Sequence, residues 1–151
     1  IDKCHKNGIH VAVDTCGAVN LEKSKSVIDK ADLILLDIKD IDNDDCIKLT
    51  SKSNKNSIET LKYCEKINKA VWIRHVLLPE YTLKEEKLKR LAEFLKQFSC
   101  IKKIELLPYH NMGLYKWQQM GIDSIIKDIE PPDKTSIENA KKIFMSYDLP
   151  L

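Results

Sequence analysis

Four short apolar runs in this chain each end abruptly in residues able to do chemistry. His10 to Val13 ends in Asp14-Thr15-Cys16-Gly17, and Leu33 to Leu36 ends in Asp37-Ile38-Lys39. Val71 to Ile73 meets Arg74-His75, and Ile104 to Leu107 ends in Pro108-Tyr109-His110-Asn111. Strands buried in a parallel sheet read as near-continuous apolar runs. In parallel barrels and doubly wound sheets, ligands bind beyond the carboxyl ends of the strands. The pattern therefore predicts both a fold class and the rim that carries a site.

The segments between the runs read as helices. Ile1 to Lys6 looks like the last turns of a helix, stopped by Asn7-Gly8. Ile9 to Asp14 is the first predicted strand, followed by a helix over Leu21 to Ala31 with Val27, Ile28 and Ala31 on one side. The second strand is Leu33 to Ile38. A short polar helix over Asp42 to Leu49 and a turn-rich loop, Ser51 to Asn56, follow it. Ser57, with Thr60 three residues on, makes half a capping box for a helix reaching about Asn68. The third strand is Val71 to Leu78, ended by Pro79. Thr82 is the expected N-cap, with Glu85 three residues later, of a helix carrying Leu83, Leu88, Leu91, Leu95 and Phe98. Ile101 to Leu107 is the fourth strand. A long connection over Asn111 to Asp128 and a last helix, Thr135 to Tyr147, complete the chain. Strands alternating with helices argue for an α/β fold with a parallel sheet. We read residues 1–151 as one domain or part of one.

Composition limits the function classes. The 151 residues hold 25 Lys+Arg and 23 Asp+Glu, a net charge of +2, which gives no argument for a nucleic-acid or membrane partner. No apolar stretch approaches the roughly 20 residues that span a bilayer, and no signal peptide is evident. The five cysteines, Cys4, Cys16, Cys46, Cys64 and Cys100, are widely spaced and form no CxxC pair. They read as reduced thiols of a cytoplasmic protein, each a small buried hydrophobe. Arg74 and Arg90 are the only arginines, so an arginine at a strand end stands out among so many lysines.

Asp14-Thr15 could cap a loop or hold a hard cation through oxygen, and Gly17 allows a backbone that other residues avoid. Asp37 and Lys39, two apart, fall on one side of a strand and suit either a strand-end ion pair or a ligand site. The planar fork of Arg74 suits a carboxylate or phosphate, or a buried ion pair. His75 faces the other way and reads as structural. His110 shares the parity of Leu106 and Pro108 and could hydrogen-bond, titrate or bind metal. Met112, Tyr115, Trp117 and Met120 read as packing of the closing segment, with a wall against a cofactor or partner as the alternative. Asp14, Asp37, Lys39, Arg74 and His110 converge on one rim if the strands are parallel. Mixed charge around one rim suits a zwitterionic or carboxylate-bearing small molecule. An unrelated barrel enzyme using Lys39 as a Schiff-base nucleophile is a weaker alternative.

Several blocks together resemble a known family. Val11 to Gly17, Leu35-Leu36-Asp37-Ile38-Lys39, Val71-Trp72-Ile73-Arg74, and above all Lys103 to His110 through Lys116-Trp117 are similar, in order and spacing, to pyruvate formate-lyase activating enzymes. These belong to the radical S-adenosylmethionine activases of glycyl radical enzymes. The resemblance implies four parallel strand-helix units of a partial (β/α)6 TIM-like barrel, without its first two units. It implies a parent enzyme in which a 4Fe-4S cluster reductively cleaves S-adenosylmethionine, and a 5'-deoxyadenosyl radical takes hydrogen from a glycine of the partner. The implied partners are pyruvate formate-lyase or another glycyl radical enzyme, with reduced flavodoxin or ferredoxin as electron donor. By match to the family's motifs, Lys39, Arg74 and His110 would contact S-adenosylmethionine. Asp14, Thr15, Asp37 and the Leu35 carbonyl would hold a monovalent cation. The family's CxxxCxxC and Gly-Gly-Glu motifs are absent from this sequence. The chain is thus expected to be the C-terminal part of such an enzyme, inactive by itself and without an iron-sulfur cluster, or else a non-catalytic binding fragment.

Overall fold

In the computed structural model, which describes every residue from Ile1 to Leu151, four strands form one sheet. They are β1 (Ala12–Thr15), β2 (Leu33–Asp37), β3 (Val71–Leu77) and β4 (Ile101–Pro108). Their spatial order is their sequence order, and every neighbouring pair is parallel. Helices fill the connections: α1 (Asp2–Lys6) before β1, and α2 (Leu21–Lys30) between β1 and β2. Two helices, α3 (Asn43–Thr50) and α4 (Lys55–Lys66), join β2 to β3, and α5 (Glu85–Leu95) joins β3 to β4. After β4 come a 3-10 turn (Asn111–Gly113), α6 (Leu114–Gln119) and α7 (Lys134–Met145). Parallel crossovers are right-handed almost without exception, so a strand order that never reverses puts successive helices on one face. The expected α/β class and all four strands are therefore present.

That one-sided cover explains the burial pattern. Along β2 and β3 every second residue is fully buried and the residues between are half-buried. Ile34, Leu36, Val71 and Ile73 face the helices and join Leu61, Leu88 and Phe144 in the core. Leu35, Asp37, Trp72 and Arg74 occupy the other, open face.

Several local expectations differ. The first strand begins at Ala12 rather than Ile9, because Val11 is tied instead to Asp32, whose carboxylate accepts its N–H at 2.7 Å. Thr82 does not cap a helix. Its hydroxyl donates to the Val76 carbonyl at 2.5 Å and accepts from Leu78 N–H at 2.9 Å, closing the turn after β3, and α5 starts after Lys84. Ser57 lies inside α4, whose N-cap is Asn54, and its hydroxyl donates to the Cys16 carbonyl at 2.6 Å. The segment after β4, read as a plain connection, contains α6. Met112, Tyr115, Trp117 and Met120 do not pack there: Met112 is 71% exposed and Trp117 42%. A six-residue helix has too few turns to bring an apolar stripe back to the core.

Of the cysteines, Cys46, Cys64 and Cys100 are buried, but Cys16 is exposed and Cys4 only half-buried. Burial pushes the Cys64 thiol up to about 11 and that of Cys100 to about 12, so both are inert hydrophobes near neutrality.

Candidate functional site

The sheet register assembles the open face in rows. Asp14 lies opposite Leu35, Leu35 opposite Trp72, and Trp72 opposite Lys103. One pleat further on, Asp37 lies opposite Arg74 and Arg74 opposite Glu105. The intervening row, Thr15, Leu36, Ile73 and Ile104, faces the helices. Both open rows mix acid with base, and Asp14 and Asp37 stand at the carboxyl ends of β1 and β2, the end at which parallel α/β folds bind ligands.

The charges on this face neutralise one another. Arg74 Nε donates to Asp37 Oδ1 at 2.8 Å, and its guanidinium also reaches the Asp14 carboxylate. Lys39 Nζ donates to Asp37 Oδ2 at 2.6 Å. Asp37 is the most sheltered member, its side chain 17% exposed against 60% for Asp14. Deeper in the face, Lys103 donates to Glu105 at 2.7 Å and sits 4.9 Å from the centre of the Trp72 ring. Such a face offers three cations, Lys39, Arg74 and Lys103, and three carboxylates, Asp14, Asp37 and Glu105, that are paired with each other. A zwitterionic ligand could exchange partners with them without burying a charge alone.

Asp14, Asp37, Lys39 and Arg74 are thus brought together as expected. Leu35 stands between Asp14 and Trp72 in register, beside this group. Thr15 and His110 stand apart. Thr15 lies in the helix-facing row, and its hydroxyl accepts from Gly17 N–H at 3.0 Å. His110 follows the end of β4, is exposed, and makes no side-chain hydrogen bond. The parity argument does not reach it, because Leu106 is on the buried face and the strand stops at Pro108. No group of three or more His, Cys, Asp or Glu side chains is gathered closely enough to hold a metal ion.

The backbone beneath the site is held from the helix side. Gly17 has φ +60°, and a Cβ there would lie 2.9 Å from Ser57 Cα, so the loop after Asp14-Thr15 closes tightly onto α4. His75 is fully buried and its Nδ1–H donates to the Ile38 carbonyl at 2.7 Å, which fixes the tautomer of the neutral ring. Burial holds its pKa below the ordinary histidine value, against the pull of the Ile38 carbonyl and Asp40. This is the structural role expected for His75. Missed entirely by sequence reasoning is a buried ion-pair network around Asp40 and Lys87. Its only trace in the sequence is an acid at the fourth position of the alternating set Ile34, Leu36, Ile38, Asp40.

No protein-family model matches the chain. It is 39% identical over 144 residues to the pyruvate formate-lyase-activating enzyme of Streptococcus mutans, a match covering 91% of this chain and 55% of that protein. The Listeria monocytogenes enzyme of the same name is 39% identical over 146 residues, covering 93% and 59%. That of Staphylococcus epidermidis is 40% identical over 140 residues, covering 89% and 56%. The chain therefore spans little more than half the length of these curated relatives. Among solved structures, a domain of the pyruvate-formate lyase-activating enzyme from Bacteroides vulgatus superposes with a TM-score of 0.80 at 23% identity, covering 98% of this chain and 83% of that one. A radical SAM methyltransferase from Sphaerobacter thermophilus gives 0.67 at 11% identity, covering 95% and 40%. Both share the fold. The similarity to pyruvate formate-lyase-activating enzymes that the motifs carried holds along nine tenths of the chain.

Proposed function

We propose that this chain is the cofactor-lining, C-terminal portion of an activating enzyme for a glycyl radical enzyme, of the pyruvate formate-lyase type. The observation that carries the reading is the Asp14–Arg74–Asp37–Lys39 cluster on the open face, in a chain about 39% identical to such enzymes over nine tenths of its length. In this reading the sheet is four of the units of a (β/α)6 barrel. The partner is pyruvate formate-lyase or another glycyl radical enzyme, and reduced flavodoxin or ferredoxin supplies the electron.

The donor set suits the methionyl end of S-adenosylmethionine. Arg74 and Lys39 would orient its carboxylate, and His110 would swing in from the end of β4. Asp14, Asp37 and the Leu35 carbonyl would hold a monovalent cation once Arg74 and Lys39 turn from the two carboxylates to the ligand, and Thr15 would join them only by leaving Gly17 and the helix-facing row. When bound, S-adenosylmethionine supplies the carbon-centred radical precursor. A 4Fe-4S cluster does not fit the residues present: Cys64 and Cys100 are buried on the helix side, and no two of the five cysteines are within three positions of each other. In this reading the cluster belongs to the parent enzyme, and this chain alone is inactive.

Isothermal titration of the chain with S-adenosylmethionine, beside Arg74→Gln and Lys39→Gln, tests the cofactor reading. Saturable binding that each substitution weakens at least tenfold supports it. No saturable binding, or binding equal in all three, overturns it.

A second reading, an interaction module, is favoured by the open edge of β1, which pairs only with β2. Beside it a cleft of about 310 Å³ is lined by Val13, Val19, Val27 and Thr60. The Thr60 hydroxyl is buried there without a partner. An unpaired edge invites association, and a strictly monomeric chain in light scattering counts against it.

A further inference from the structure

The sheet ladder ends at Asp37, yet the residue that completes the cluster, Lys39, lies beyond it. Beyond the Ile38 N–H, which donates to the Arg74 carbonyl at 3.0 Å, nothing in the sheet holds this segment. Side chains hold it instead. His75 donates to the Ile38 carbonyl, and Asn54 Nδ2 donates to the carbonyls of Asp40 at 3.1 Å and Ile41 at 2.8 Å. The Asp40 carboxylate, 1% exposed, accepts from Asp42 N–H at 2.9 Å and from Lys87 Nζ at 2.7 Å. Lys87, on α5, also meets Asp45 at 2.6 Å, and Arg90 grips Asp42 through both oxygens at 2.8 and 2.6 Å.

Burying an ammonium and a carboxylate is a poor way to stabilise a fold. Apolar residues of similar volume are commonly as stable or more so. What the pair supplies is direction. With Ile38 and Asp40 fixed on the helix side, the alternation of the chain leaves Lys39 facing Asp37 on the open side.

We propose that Asp40 and Lys87 are positioning residues, whose buried ion pair locks the Ile38–Ile41 segment and so holds Lys39 against Asp37 at the candidate site. The consequence for ligand binding rests on the cofactor reading above; the placement of Lys39 does not.

Three variants test it: Lys87→Met, the double Asp40→Leu/Lys87→Met, and Asp45→Asn. Lys39 placement is read as its rate of reductive methylation by peptide mass spectrometry, and as amide exchange at residues 38–42 against that of β3. S-adenosylmethionine binding is titrated in parallel. Lys87→Met leaves Asp40 buried and unpaired, and is expected to lower the unfolding midpoint. The double variant is expected to recover the midpoint while Lys39 methylation and exchange at 38–42 stay at least tenfold faster than in the parent chain. If the double variant restores the midpoint and both local rates to within twofold, the network is only structural and the proposal fails. Should either buried variant not fold, Asp45→Asn decides. It loosens Lys87 from a half-exposed position, and is expected to speed Lys39 methylation at least threefold; no change overturns the proposal. Failure of the unmodified chain to bind S-adenosylmethionine, with the Lys39 rates behaving as stated, overturns the cofactor reading and leaves the positioning role supported.

Discussion

Arg74 and Asp37 face each other in direct register across β3 and β2, with Arg74 Nε donating to Asp37 Oδ1 at 2.8 Å. Neither side chain is more than 21% exposed, so water screens the pair less than it would on a surface. A double-mutant cycle with Arg74→Gln and Asp37→Ala in urea is expected to give a coupling of about 1.5–3 kcal/mol, the range for hydrogen bonds to charged groups. Additive effects would show that the register contact contributes nothing.

The chain by itself is expected to hold no 4Fe-4S cluster. Anaerobic reconstitution with iron and sulfide should leave protein without stoichiometric metal or the broad visible absorption of a cluster. A stable cluster at one per chain would contradict this, since it would require ligands from the buried side of the sheet.

Glu65 ties the end of α4 to the start of β4. Its carboxylate accepts from Cys100 N–H and the Ser99 hydroxyl, both at 2.8 Å, and these hydrogen bonds, the Cys100 amide first, hold its pKa down to about 2 against an ordinary 4.5. A depressed carboxylate stabilises the fold above its unfolded pKa and ceases to as pH falls through its folded one. Stability should therefore decline between about pH 4.5 and 2, and Glu65→Gln should flatten that part of the curve while lowering stability at pH 7. An unchanged acid limb in denaturation curves would count against the anchor.

His75 acts through the opposite charge in the same direction. Burial depresses its pKa, so the unfolded chain takes up the proton first as pH drops below about 6.5. The fold loses stability from that point downward and keeps it above. His75→Gln can still donate to the Ile38 carbonyl and is expected to remove this loss below about pH 6.5. Parallel pH profiles for the two proteins would refute the assignment.

Gly17→Ala should be costly although Gly17 touches no ligand. The left-handed backbone disfavours any Cβ, and this one would meet Ser57 Cα at 2.9 Å and Leu36 Cδ1 at 3.0 Å. The two penalties together predict a loss of about 2–4 kcal/mol in urea denaturation. Since the same loop follows Asp14, the variant should also perturb the Asp14–Arg74 contact, visible in the Arg74 side-chain NMR signal.

Much of this architecture was legible in the chain because its signals are local. Apolar runs marked β1 to β4, and alternation along β2 separated Ile34 and Leu36 from Leu35 and Asp37. Caps were less legible. Thr82 and Ser57 carry hydroxyls at plausible cap positions, but each found a carbonyl elsewhere, on Val76 and Cys16. The position of His110 was not legible for a related reason: parity holds only while the strand lasts, and β4 ends at Pro108.

The sequence by itself determined a parallel α/β sheet, the side of β2 on which Leu35 and Asp37 stand, and the likeness to the activating enzymes. Strand periodicity and motif spacing are properties of adjacent residues, so no packing is needed to read them. Only the tertiary structure decided which charge answers which. Arg74 reaches Asp37 and Asp14 from 37 and 60 positions away, and Lys87 reaches Asp40 from 47. Those pairings depend on strand register and on where α5 lands. Both are set by burial of the whole helix-facing surface rather than by any local preference.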